Sequence, residues 1–98
     1  MTTIALHEQA GAFAENKDVA REIRMERIMP ALEAADEVVL DFQGVTGATQ
    51  SFIHALMSDL FRQHGVDVLD RILFKNCNEA VRKIITIVSE YMQESMGE

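Results

Sequence analysis

The chain predicts an α/β fold with a small, three- to four-stranded, mostly parallel sheet and about three helices, in the order β-α-β-α-β-α. Three observations carry this. Short runs rich in Ile, Val, Leu and Phe lie near residues 3–7, 37–42 and 71–75. Longer stretches with helical apolar spacing separate them. Gly, Asn or Asp marks most of the junctions. Strands alternating with helices imply parallel pairing through crossover connections, expected to be right-handed.

Thr3 to His7 (TIALH) reads as a short strand. Phe13 reads as part of a second extended piece, with Glu8 to Gly11 as a turn, which suggests a hairpin. Lys17 to Ala34 is helical in composition. Its apolar residues fall into two sets, Val19 with Ile23, then Met25, Ile28, Met29 and Leu32, which do not share one face of an ideal wheel. Pro30 removes a backbone donor and is expected to kink the last turn, re-aiming the second set. Packing of that set on another subunit is the alternative.

Glu37 to Phe42 (EVVLDF) is the clearest strand, because its continuous apolar run suits burial on both faces. A loop from Gln43 to Ala48 follows. Thr49 to His64 predicts one helix with Phe52, Ile53, Leu56, Met57, Leu60 and Phe61 on one half of the wheel, stopped by Gly65. Arg71 to Lys75 (RILFK) predicts the third strand. Asn76 and Glu79 stand at capping-box spacing. The last helix carries Val81, Ile84, Ile85, Val88 and Met92 as an apolar stripe and is expected to end near Gly97.

Length and composition bound the function. The 98 residues, 48% of them hydrophobic, suffice for a single domain over 1–98 with its own core. A net charge of −7 disfavours nucleic-acid backbones and anionic membranes. One cysteine, Cys77, allows no internal disulfide. The first residues show neither a basic nor a long apolar region of a signal peptide. A cytoplasmic location is the expectation.

The chemistry-bearing stretch is Val38 to Leu60. A buried strand ends at Asp41-Phe42, a loop carries Gly44 and Gly47, and a helix opens with Thr49, Gln50 and Ser51. Ligands and partners of α/β sheets meet the loops at strand carboxyl ends. Ser51 falls in the first helical turn, where free backbone N–H groups favour an added phosphate. The alternative is a polar residue that only helps satisfy the helix end. The partner-binding surface is expected to centre on Gly44, Val45, Thr46, Gly47, Thr49, Gln50, Ser51 and His54.

Other constellations point less far. Ser51, His54 and Asp59 lie close in sequence, but no G-x-S-x-G elbow surrounds Ser51, so catalysis is not expected. The Gly44–Ser51 run lacks the lysine of a phosphate loop. His7, His54, His64 and Cys77 lack metal-ligand spacing, so no metal and no cofactor is expected. Cys77 is either a thiol activated at a helix start or a small core residue. Arg21, Arg24 and Arg27, interleaved with Glu22 and Glu26, read as a solvated face or as a contact surface for an acidic partner.

Asp41-Phe42-x-Gly44-Val45, Ser51-Phe52 with Leu56, and Phe74-x-Asn76-x-Asn78-x-x-Val81-x-x-Ile84 together resemble the STAS fold of sulfate transporters and anti-sigma factor antagonists, specifically its STAS-like branch of unknown function. The resemblance covers about Val19 to Met92 and implies a STAS-like sandwich. It also implies a bacterial signalling role, with a histidine-kinase-like ATPase or a transcriptional regulator as partner. In anti-sigma factor antagonists, the second serine of an Asp-Ser-Ser-Gly signature is phosphorylated, which breaks the complex. Ser51 falls on that serine. Thr49, Gln50 and Phe52 replace the aspartate, the first serine and the glycine. The resemblance also implies weak nucleotide binding at the helix start as an open reading, and a homo-oligomerising subunit without a phospho-switch is the alternative.

Overall fold

The computed structural model describes residues 1–96; Gly97, the expected end of the last helix, lies outside them. Strand β1 (Thr2–Ala5), β3 (Val38–Asp41) and β5 (Ile72–Lys75) form one parallel sheet with β3 in the centre. The register sets Thr2, Val38 and Ile72 in one row and Ile4, Leu40 and Phe74 in another. Period-2 alternation puts both rows on one face, and Ile4, Val38, Leu40 and Ile72 join the hydrophobic core. The opposite face carries Thr3, Val39 and Leu73. Val39 stands outside the core cluster, and Leu73 is 52% exposed.

The expected hairpin does not form. Residues His7–Ala10 make a single helical turn, α1. Phe13–Ala14 (β2) pairs in parallel with Gly47–Ala48 (β4), so the loop after β3 itself contains a short strand. The Phe13 ring lies over Gly47: a Cβ there would come within 2.9 Å of it, so a larger residue would have to displace the ring.

The long helix before β3 reconciles its two apolar sets by a device that the sequence does not announce. Helix α2 (Lys17–Ile23) and α3 (Met29–Glu33) are joined by a π turn, Arg24–Ile28. The Met29 amide bonds the Arg24 carbonyl, five residues back. The extra residue rotates the downstream helix by about 100°. Ile28 thereby returns to the core beside Ile23, and Met25 is left outside at 58% exposure. Pro30 lies one residue past the π turn, inside a helical path that runs unbroken from Lys17 to Glu33, so its missing N–H leaves a carbonyl of the preceding turn without a helical donor.

The helix predicted from Thr49 to His64 is two helices, α4 (Gln50–Met57) and α5 (Leu60–His64). Ser58 is extended (ψ 144) and Asp59 is left-handed (φ 69). Gly65 ends α5 as expected, its N–H bonding the Phe61 carbonyl. A 3-10 segment, Val66–Arg71, leads into β5. Helix α6 (Glu79–Met96) buries Val81, Ile85 and Val88, with Ile84 and Met92 packed at the margin. Its cap is Asn78 and not Asn76: Asn78 Oδ1 accepts from the Val81 N–H at 2.8 Å. Asn76 instead adopts φ 59 and donates its side-chain amide to Asp41. Among the described residues, no helix is long and apolar enough to cross a membrane.

Candidate functional site

The carboxyl end of β3 fixes the geometry of the loop after it. Asp41 Oδ1 accepts from the Gln43 N–H at 3.0 Å and from Asn76 Nδ2 at 2.9 Å. The Asn76 amide, followed by the Gln43 N–H, holds the Asp41 carboxyl below the usual carboxylate range. Thr46 is tied twice to the Ala12 carbonyl, through its N–H at 2.7 Å and its hydroxyl at 3.1 Å. Its own carbonyl accepts from Asn78 Nδ2 at 2.8 Å. The loop is therefore locked to the segment before β2 and to the start of α6.

This locking divides the predicted binding residues. Gly44 and Thr46 are exposed, and Gly47 is half-buried beneath the Phe13 ring. Val45 is a correction to the sequence reading: it is 3% exposed and belongs to the core, so it offers no surface to a partner. Thr49 is also occupied, because its Oγ1 caps α4 by accepting from the Phe52 N–H at 3.0 Å. Gln50, Ser51 and His54 are exposed on α4.

These three residues line a cleft of about 730 Å³ between α2, α4 and α6. Lys17 and Arg21 face it from α2, and Ile87 and Tyr91 face it from α6. A smaller cavity of about 350 Å³ continues past His54 and Tyr91 toward Arg62 and Met92. In the sequence, the α6 wall is signalled only by Ile87 and Tyr91. They stand four residues apart and off the apolar stripe that packs inward.

Arg24 overturns its assignment to an exposed arginine face. It is 7% exposed, lines the cleft and crosses to α4. Nη1 donates to the Ala55 carbonyl at 2.7 Å, and Nη2 lies 3.7 Å from Asp59. Ala55 O belongs to the last turn of α4, where carbonyls lack helical partners. Arg24 thus caps α4 from outside and holds the break before α5. Its Nε is buried with no partner among the described residues. Arg62 reaches Asp59 at 3.3 Å as well, so both close contacts of that carboxylate are cationic.

Cys77 is half-buried, and burial pushes its thiol up rather than down. Loss of solvent outweighs the nearby Arg82 charge, so the residue behaves as a small core group and not as an activated thiol.

No curated protein and no solved structure matches the chain. Residues 19–82 match the family model described as a STAS-like domain of unknown function (DUF4325). That span runs from α2 through the central strand and α4 to the first turn of α6, well over half of the sequence. The chain therefore belongs to this STAS-like family.

Proposed function

We propose that the protein is a cytoplasmic regulatory module that binds a protein partner, a histidine-kinase-like ATPase or a transcriptional regulator, and is switched by phosphorylation of Ser51. The observation that carries this reading is the exposure of Ser51 in the first turn of α4, beside a cleft that also presents Lys17 and Arg21. A phosphoryl group there brings about two negative charges to a helix amino end. It also changes the charge of the surface a partner meets. The locked loop at Gly44 and Thr46 adds an exposed surface that lies outside the cleft.

Pull-down from native lysate with Ser51→Ala and Ser51→Asp tests the reading. A partner captured by the alanine variant and lost with the aspartate variant supports it. Mass spectrometry after incubation with the captured ATPase and ATP then locates the phosphate. Equal capture by both variants, with Ser51 unmodified, removes the switch.

A second reading, self-association, is favoured by the open sheet face with Leu73 half exposed. All-parallel sheets are ordinarily covered on both faces. Light scattering after size exclusion distinguishes the two, since a homo-oligomer that also sequesters Ser51 favours assembly.

A further inference from the structure

We infer that the groove between α2 and α6 docks a second copy of this chain, which lays its own α6 into it. This goes beyond the partner reading, does not rest on it, and uses a face other than the open sheet.

The apolar wall is the first argument. Helix α6 carries two stripes. Val81, Ile85, Val88 and Met92 pack on the core. Ile84, Ile87 and Tyr91 form a second stripe with the same alternating spacing, about 100° around the helix from the first. Ile84 is half-buried, whereas Ile87 is 43% and Tyr91 61% exposed, and the last two line the groove. Residues spaced in this way along one helix meet another helix as a continuous seam. Past Tyr91 the groove continues into the smaller cavity, which adds Phe61 and Met92 to the apolar surface.

Charge selects the occupant. With a net charge of −7, two copies repel over most of their surface. The groove is different. Lys17 and Arg21 line it, are exposed, and enter no ion pair among the described residues. The complement stands on α6 itself. Glu90 and Glu94 are exposed, are equally without an ion pair among the described residues, and lie beside the second stripe on the side away from the core. An α6 laid in the groove therefore sets its apolar stripe on Ile87 and Tyr91 and brings its two carboxylates to the α2 cations.

Symmetry distinguishes a second copy from an unrelated acidic helix. The unrelated helix satisfies the groove alone. In a two-fold pair, each α6 is at once the wall of one groove and the occupant of the other, so both stripes and both sets of charges are used. Lys17, Ile87, Glu90, Tyr91 and Glu94 all lie outside the span matched by the family model, so this assembly belongs to this chain rather than to the shared core.

Light scattering after size exclusion, with sedimentation equilibrium for the affinity, tests the inference on the full chain. A dimer is expected at about 100 μM in low salt, weakening as salt is raised. Lys17→Glu/Arg21→Glu and Glu90→Lys/Glu94→Lys should each weaken self-association about 10-fold with unchanged circular dichroism. Mixing these two variants should restore the dimer as a heterodimer, because each groove then meets a helix of opposite charge. A variant that fails to fold gives no such rescue. Ile87→Glu should also weaken the dimer, and Leu73→Ser should leave it. A monomeric mass up to about 1 mM overturns the inference. So does a mixture without rescue, or a dimer that Leu73→Ser abolishes and Ile87→Glu leaves intact. A monomeric mass tells against this inference alone, because capture of a partner by the Ser51 variants is read separately.

Discussion

Single residues decide how the loop after β3 is held. Gly44 has φ +88, and a Cβ there would lie 3.0 Å from the His7 ring. Gly44→Ala is therefore expected to destabilise the fold by about 1–3 kcal/mol, measured by denaturant unfolding. Asn76 combines a left-handed backbone with a hydrogen bond to Asp41, and Asn76→Gly separates the two: glycine keeps the conformation and removes the donor. The Asp41 pKa in that variant should rise toward the usual carboxylate range, read by NMR titration. The sign for stability comes from linkage. Asp41 is held low in the folded state, so its contribution is complete above the unfolded value. It is lost as pH falls through the folded one. The wild type should lose this contribution under acid conditions, and Asn76→Gly should show a smaller loss over the same window. Asn78, the true cap of α6, is concealed in the sequence by the more conspicuous Asn76 and Glu79 pair. Asn78 has Val81 at the third helical position and so carries no capping-box pattern.

At the scale of elements, one side chain couples two irregularities. Arg24 stands where α2 passes into the π turn, and its guanidinium bridges the last turn of α4 and the break at Ser58 and Asp59. Apolar periodicity reads 49–64 as one helix because both halves bury the same kind of residue, and periodicity does not register a break that keeps Leu60 and Phe61 in the core. Arg24→Met retains much of the buried volume but abandons the Ala55 carbonyl and Asp59. The expected cost is about 2 kcal/mol, checked by chemical denaturation. Asp59→Gly tolerates φ 69 without strain and should cost less than Asp59→Val. The mismatch between the two apolar sets of the first long helix is visible in the sequence. Its resolution by an inserted residue is not, because Pro30 offers a nearer explanation.

For the molecule as a whole, the consequential asymmetry lies in the sheet. One face meets every helix through a single core, and the other leaves Thr3 and Leu73 in water. Leu73→Ser should lower stability by about 1 kcal/mol, because the residue is 52% exposed and only the covered half of its side chain is lost from burial. If the open face mediates self-association, the same variant shifts the mass measured by light scattering toward the monomer. The apolar run Val38-Val39-Leu40 implies burial on both sides of β3. Val39 is 5% exposed, so the central strand is buried on both faces as expected, although its ladder neighbours Thr3 and Leu73 on that second face are exposed.

Local interactions are written along the chain, and these the sequence determined. The three parallel strands, the start of α4 at its threonine cap, the glycine stop after α5, the inward stripe of α6 and the family are all legible in spacing and residue type. Contacts between segments distant in the chain are a different matter, because they depend on which elements meet. Only the tertiary structure paired β2 with β4, buried Val45, drew Arg24 inside and assembled Lys17, Ser51 and Tyr91 around one cleft. Each of these joins segments whose local patterns carry no information about their partner, so packing alone brought them together.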